Sequence, residues 1–210
     1  MSRTVPGPSR DAVDESAPID RARIEAAVSE ILAAIGEDPA RPGLLSTPQR
    51  VAEAYAEFFS GLAVDPVSHL AGGVEFAAGS GELGELVLLR DIEFRSMCEH
   101  HLLPFTGVAH LAYIPRTRIV GLGALPRVVD TLASRPQLQE RLTEEIADTV
   151  QAGLDPLGIL VVLDATHGCV TARGARQQNS TTVTMATRGS LSEPAARAEI
   201  IALIGAGSNG

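Results

Sequence analysis

The chain has 210 residues, a formal net charge of −9 and 45% hydrophobic residues, which is typical of a globular protein. The negative charge disfavours non-specific binding to nucleic acid or to an anionic membrane surface. Two cysteines are too few for a disulfide framework, and the sequence predicts neither a signal peptide nor a membrane span. We therefore expect a cytoplasmic protein with no nucleic-acid or membrane partner.

The first part of the chain predicts an arm followed by helices. Residues 1–18 are rich in Pro, Ser, Asp and Arg and lack hydrophobic periodicity, so they are predicted to be a disordered arm. Residues 19–64 are predicted to be a helical segment. Its first helix spaces apolar residues three to five apart and stops at Gly36. Its second helix has Thr47 as the N-cap and ends near Gly61.

The remaining residues, 65–210, are predicted to be one domain of mixed elements. "LGELVLLRDIEF" and "GVAHLAYIP" are typical of strands, and two helices separated by Pro136 follow them. "GILVVLDATHGCVTARG" predicts two buried strands joined near His167, and "STTVTMATRG" predicts a further strand. A terminal helix has Ser192 as its predicted cap. This order does not alternate strand and helix, so it indicates an α+β fold with an antiparallel sheet rather than a doubly wound one.

The stretch "SMCEHHLLPF", residues 96–105, concentrates metal-ligand side chains. Cys98 and His101 are three residues apart, and Cys169 follows in "THGC". Two thiolates and one imidazole make a three-ligand zinc site whose fourth position is left for water, although the same ligands also suit a ferrous ion. Two distant cysteines are commonly just buried apolar side chains. The joint occurrence of C-E-H-H and T-H-G-C favours the metal site.

Two further histidines stand beside these ligands. His100 and His167 have an unperturbed pKa near 6.5, which suits proton transfer at neutral pH. His69 and His110 lack such neighbours and are predicted to be a surface residue and a strand residue, respectively. Glu140, on its pattern alone, favours a solvated helix face.

Three long motifs carry a resemblance to a known family. "RDIEFRSMCEHHLLPFTGVAHLAYIP", "QLQERLT" and "DATHGCVTARG" followed by "NSTTVT" resemble type I GTP cyclohydrolase, the entry enzyme of folate and pterin synthesis. The similarity runs from roughly residue 20 to residue 205. It implies a tunnelling fold (T-fold): an antiparallel sheet with helices on one side, preceded by an N-terminal helical segment. It also implies that subunits pair their sheets into pentamers, which stack as a homodecamer.

The resemblance further implies a reaction and a set of site residues. Water attacks C8 of the guanine of GTP, the imidazole ring opens, formate leaves and 7,8-dihydroneopterin triphosphate forms, with one Zn²⁺ per subunit. Cys98, His101 and Cys169 match the ligands, and His100 and His167 match the proton carriers. The resemblance makes Glu140 a guanine contact, which replaces the solvated-face interpretation. The expected substrate contacts are six polar side chains: Gln139, Glu140, Glu99, Arg127, Arg173 and Arg176.

The phosphate-binding segment departs from the family pattern. The family usually reads G-L-S-K-L-A-R where this chain reads "GLGALPR", so Gly123 and Ala124 replace a serine and a lysine. A frequent family lysine nearby is Gln177 here. All 17 cationic side chains of the chain are arginine, so an arginine at 124 would have preserved the charge.

Three interpretations of the function remain open at this point. The first is GTP cyclohydrolase I activity with other arginines compensating. The second is a relative from specialised metabolism that accepts a different or less phosphorylated guanine nucleotide, or stops at a ring-opened intermediate. The third is a non-catalytic nucleotide-binding homologue.

Overall fold

The computed structural model describes residues 19–75 and 85–206, and the predicted arm lies outside them. The chain divides into two compact units, 1–56 and 57–210. The first unit contains helix α1 (Arg21–Ala34), and helix α2 (Thr47–Phe58) begins there. Asp20 caps α1 by accepting a hydrogen bond from the Arg23 N–H at 3.0 Å. Both helices predicted from the sequence are confirmed, while the domain boundary after residue 64 stays a prediction.

Within the described residues, seven strands and four further helices follow. The strands are β1 (Val74–Glu75), β2 (Val87–Cys98), β3 (Pro104–Ile114), β4 (Arg118–Ile119), β5 (Pro136–Gln137), β6 (Gly158–His167) and β7 (Thr182–Gly189). The helices are α3 (Ala124–Ala133), α4 (Gln139–Leu154), α5 (Gly168–Thr171) and α6 (Pro194–Gly205). Short 3-10 helices cover Ser60–Ala63, Pro66–Leu70 and Ser190–Ser192. Across the described ranges, no helix combines the length and apolar character needed to span a bilayer.

The main sheet has the order β5-β2-β3-β6-β7 and is antiparallel except for the short parallel pair of β5 with β2. Side chains alternate between its faces. Leu111 and Val161 belong to the core cluster that also contains the apolar residues of α3 and α4. Ala112 and Leu160 point the other way and pack with Ile200 of α6. The α+β class and the antiparallel sheet with its two long helices on one side are therefore confirmed, and the terminal helix covers part of the opposite face.

Three local predictions are wrong. The segment after His167 forms the helical turn α5 rather than a strand, because its polar continuation has no apolar face to bury against the sheet. The cap of α6 is Glu193 rather than Ser192. His69 is half-buried, and its Nε2 lies 2.8 Å from the Thr131 hydroxyl.

Strand register brings the ends of β2 and β6 to one edge of the sheet. The β2–β3 pairing ends at Met97 opposite Pro104, so Cys98 stands at the strand end. The β3–β6 pairing begins with Phe105 opposite His167. Because both pairings are antiparallel, β2 and β6 run in the same direction. The two sequence motifs, far apart in the chain, therefore meet at one edge.

Candidate metal and active site

The ligand loop, residues 98–103, connects β2 to β3 through a closed turn. The Cys98 N–H donates to the Leu103 carbonyl at 2.9 Å. The Cys98 carbonyl in turn accepts from the Leu102 N–H at 2.8 Å and from the His101 N–H at 3.3 Å. Leu102 adopts a φ of 49°, the left-handed region that a tight turn requires. These bonds fold the loop back so that the side chains of Cys98 and His101 reach the same space.

Cys169, on α5, completes a group of three ligand atoms. The two sulfurs and the nearest His101 nitrogen all lie within 4.8 Å of one another. In a tetrahedral zinc site with Zn–S bonds of about 2.3 Å, ligand atoms are separated by about 3.8 Å, so a small contraction suffices to seat the ion. Cys98 is buried, Cys169 half-buried and His101 exposed, which leaves one side open.

Without a bound cation, the surroundings favour the neutral thiol of Cys169. Burial raises the pKa of the Cys169 thiol, and the neighbouring Cys98 raises this pKa further. A bound dication reverses both effects, because it stabilises thiolates directly. The donor set of two sulfurs and one imidazole thus fits zinc.

His167 is held by two contacts beside this group. Its ring stacks on Phe105 with centroids 4.7 Å apart and an interplanar angle of 3°. Its Nε2 lies 2.7 Å from Oε1 of Gln139. The Gln139 amide nitrogen donates to the carbonyls of Leu163 at 3.2 Å and Thr182 at 2.7 Å. Carbonyls only accept, so the amide orientation is determined and the hydrogen of His167 is on Nε2. The lone pair of the neutral imidazole is therefore on Nδ1.

The surroundings favour the neutral form of this imidazole. Burial lowers the pKa of His167, and the negative charge of Glu140 opposes that shift. Glu140 is exposed in the first turn of α4, next to the buried Gln139. His100 is also exposed, with its ring centroid 6.2 Å from that of His101. Two histidines and one carboxylate thus stand around the ligand group.

The other predicted substrate contacts differ in the partners of their side chains. The Glu99 carboxylate accepts a hydrogen bond from Arg141. Arg173 is exposed just after α5, and its charge counteracts the rise in the pKa of Cys169 that burial causes. Arg127 and Arg176 are exposed, and no hydrogen bond or ion pair among residues 19–75 and 85–206 joins their side chains to the ligand group. Gln139 has both amide hydrogens bonded to backbone carbonyls, so neither is left for a substrate here.

Sequence reasoning missed two residues that shape the site. Phe105 lies in an apolar strand, and its stacking on His167 depends on a pairing between residues 62 apart in the chain. Arg141 offered only the signal of an i,i+4 pair with Glu145, which is 3.7 Å away. Its contact with Glu99 comes from tertiary packing.

Comparison with known proteins identifies the family. The family model for GTP cyclohydrolase I matches residues 24–205. The chain belongs to the GTP cyclohydrolase I family.

Relatives that are similar in sequence cover nearly the whole chain, and a solved structure covers half of it. GTP cyclohydrolase 1 of Leifsonia xyli subsp. xyli is 65% identical over 90% of this chain and 97% of its own length. GTP cyclohydrolase 1 of Rhodopirellula baltica is 52% identical over 91% of this chain and 83% of its own. The solved apo structure of a QueF-like archaeosine synthase is 20% identical, with a TM-score of 0.42, over 50% of this chain and 93% of its own. A TM-score this low does not establish the fold, which the strands and helices described above show directly.

In this GTP cyclohydrolase I family member, the two positions at which the sequence departs from the expected family pattern lie at the start of α3. Gly123, at the usual serine position, is exposed and precedes the helix. Ala124, at the usual lysine position, is 3% exposed and belongs to the main core cluster. A lysine at 124 would have to extend its ammonium group out of a packed environment to reach solvent.

Proposed function

We propose that the protein catalyses the hydrolytic opening of the guanine imidazole ring of GTP at C8, releasing formate and forming 7,8-dihydroneopterin triphosphate. The observation that carries this proposal is the convergence of Cys98, His101 and Cys169 beside the oriented His167. The relatives named GTP cyclohydrolase 1, at up to 65% identity, support the same reaction.

The ligand group is proposed to hold one zinc ion per subunit. Two thiolates favour zinc over harder cations. When bound, zinc makes water a nucleophile at neutral pH and polarises the bond under attack. Cys98 contributes from a strand end and Cys169 from a helical turn, so the strand register sets their separation.

The histidines are proposed to move protons. The neutral His167 has its free lone pair on Nδ1, because Gln139 accepts the hydrogen on Nε2, so Nδ1 can take up a proton. His100 is exposed in the ligand loop and is proposed as the second proton carrier. Gln139 is proposed to orient His167, which replaces the substrate contact predicted from the sequence.

Recognition of guanine is proposed to depend on Glu140. Its carboxylate is exposed beside His167 and can accept hydrogen bonds from guanine N–H groups. Adenine lacks the matching donors and would leave the carboxylate unpaired, which is a strong basis for discrimination. Arg173, together with Arg127 and Arg176, is proposed to bind the phosphates, since arginine suits bidentate phosphate contacts.

Assembly into a homo-oligomer is proposed as well, and the resemblance implies a decamer of two pentamers. The exposed edge strand β7 supports this proposal. Its outer pairing groups are unused within the described sheet, and Val183 and Met185 are 59% and 39% exposed. An open apolar edge is suited to pairing with another chain. We propose a cytoplasmic enzyme in which residues 65–210 form the catalytic domain, preceded by the helical segment 19–64.

A product-resolved assay tests the proposed function. Zinc-loaded protein is incubated with GTP, GDP, GMP and guanosine in parallel, and formate and pterin are quantified by mass spectrometry. We expect GTP to give equal amounts of formate and dihydroneopterin triphosphate, and the Cys169→Ala variant to give neither. Preference for a less phosphorylated nucleotide, or ring opening without pterin, would overturn the proposal. Retention of formate release by Cys169→Ala would remove the metal assignment.

A further inference from the structure

Arg141, on α4, has contacts that the reaction proposed above does not use. Its guanidinium donates to the Glu99 carboxylate, to the Gln137 side-chain oxygen at 3.1 Å and to the Pro136 carbonyl at 3.2 Å. The Glu145 carboxylate, one turn further along α4, lies 3.7 Å from its Nε. One side chain thus connects α4, strand β5 and the ligand loop.

Gln137 fixes the same loop through its backbone. Its carbonyl accepts a hydrogen bond from the Glu99 N–H at 3.1 Å. The Gln137 side chain is only 1% exposed and donates to the Leu132 carbonyl at 3.1 Å and to Glu145 at 2.8 Å. The acceptor of Arg141 is therefore itself held rigidly. Glu99 is anchored at both its backbone and its carboxylate.

Glu99 stands directly after Cys98 and two residues before His101. We infer that Arg141 is a positioning residue that, through Glu99, holds the loop bearing two of the three metal ligands in the geometry for binding. The inference rests on the proposed zinc site. It changes the predicted role of Glu99 from substrate contact to anchor of the ligand loop.

The setting of this ion pair distinguishes it from an ordinary surface pair. The side chains of Arg141 and Glu99 are 43% and 32% exposed, and an isolated pair at such exposure contributes little. Here the guanidinium also bonds a buried amide and a strand carbonyl, so its position is set before Glu99 engages it. Ordering the loop in advance reduces the conformational entropy that metal binding would otherwise have to overcome.

Zinc affinity, measured without nucleotide, tests the inference. Arg141→Ala, Glu99→Ala and the double variant are titrated against a chromophoric zinc chelator. We expect each single variant to bind zinc about 10-fold more weakly, at the lower end of the range for residues that support metal ligands. The double variant should be no weaker than the worse single one, because both remove the same connection. The zinc affinity of Arg141→Lys should lie between those of wild type and Arg141→Ala. Lysine keeps the positive charge but lacks the planar guanidinium that donates to several acceptors at once.

Arg188→Ala is the matched control. Arg188, on β7, pairs with Glu144 and Asp148 of α4, the helix that also carries Arg141, at 2.6 and 2.7 Å. It has no hydrogen bond or ion pair with the described residues of the ligand loop. Its removal should leave zinc affinity within about twofold of wild type, as expected for distant independent sites. Circular dichroism melts establish that each variant is folded. Absorption of the cobalt-substituted protein gives a second readout, because the thiolate-to-metal bands should shift in Arg141→Ala and not in Arg188→Ala.

The outcomes separate this inference from the proposed reaction. Unchanged zinc affinity in folded Arg141→Ala, or independent effects that multiply in the double variant, would overturn the positioning role. A higher KM for GTP in Glu99→Ala with unchanged zinc affinity would restore Glu99 as a substrate contact and likewise overturn it. If the variants lose zinc affinity as expected but wild type releases no formate from GTP, the proposed reaction fails and the positioning role stands.

Discussion

Replacing Gln139 by leucine tests whether this amide orients His167. The substitution replaces the polar amide with an apolar side chain of similar size, in a position that is 1% exposed. It removes the acceptor for the His167 Nε2–H and the donors for the carbonyls of Leu163 and Thr182. A buried polar group without a partner costs about 1–3 kcal/mol. Thr182 is exposed and water can reach its carbonyl, so we expect a loss of about 3 kcal/mol in unfolding free energy in total.

The effect on turnover should exceed the effect on stability. Without Gln139, His167 is free to place its hydrogen on either nitrogen and to rotate away from the ligand group. We expect kcat to fall about 10- to 100-fold with a small change in KM, which is typical for loss of a group that supports a reacting residue.

Thr143→Val provides the matched control on the same helix. Thr143 is 1% exposed, and its hydroxyl bonds the Gln139 carbonyl and the Thr184 hydroxyl, each at 2.7 Å. Loss of this hydroxyl should lower the unfolding free energy by about 1 kcal/mol, because both hydrogen bonds join uncharged groups. Turnover should stay near wild type, because these bonds do not reach the imidazole.

Urea unfolding and steady-state formate release measure the two quantities on the same samples. Nitrogen-15 chemical shifts of labelled histidine report which ring nitrogen of His167 carries the hydrogen. Equal loss of kcat in Gln139→Leu and Thr143→Val would refute the orienting role, because it would show that general loosening of α4 explains the effect. An unchanged Nε2–H signal in Gln139→Leu would refute it independently.

Three further predictions concern other parts of the domain. Gly168→Ala should weaken zinc binding about tenfold, because an added Cβ would lie 2.8 Å from the Pro104 carbonyl and push α5 away from the ligand loop. His110→Gln should flatten the pH dependence of stability. Burial lowers the pKa of His110 against the opposing charge of Asp91, so wild-type stability should fall as pH drops below about 6.5, where the unfolded chain takes up the proton first. Ala124→Lys should lower the unfolding free energy by about 2 kcal/mol, because the position is packed in the core.

Each of these has a control and a contradicting result. Gly205→Ala meets nothing within 4 Å and should leave zinc binding unchanged; equal effects in both glycine variants would reject the steric argument. Parallel melting curves of wild type and His110→Gln from pH 7.5 to 5 would show that His110 does not govern acid stability. An unchanged melting temperature of Ala124→Lys with a lower KM for GTP would show that this side chain reaches the phosphates.

The sequence by itself predicted most of the helices and long strands and proposed the metal ligands. Apolar periodicity, start signals and glycine stops predicted α1, α2 and the two long helices, and alternation predicted the strands, because these patterns follow from local geometry. The pairing of C-E-H-H with T-H-G-C was enough to propose Cys98, His101 and Cys169 as one group. Thiolates and imidazoles suit few other roles when they are clustered this way. The family resemblance added Glu140, which pattern alone assigned to solvent.

Tertiary structure decided which polar side chains support others. Gln139 and Glu140 are adjacent in sequence, yet one is buried against His167 and the other is exposed, because successive helix positions point about 100° apart. The contact of Arg141 with Glu99 spans 42 residues and depends on where β5 joins the sheet beside β2. A polar side chain can exchange one hydrogen-bond partner for another at little cost in free energy. The local sequence therefore does not specify which partner it contacts. Strand register and helix packing determine that choice.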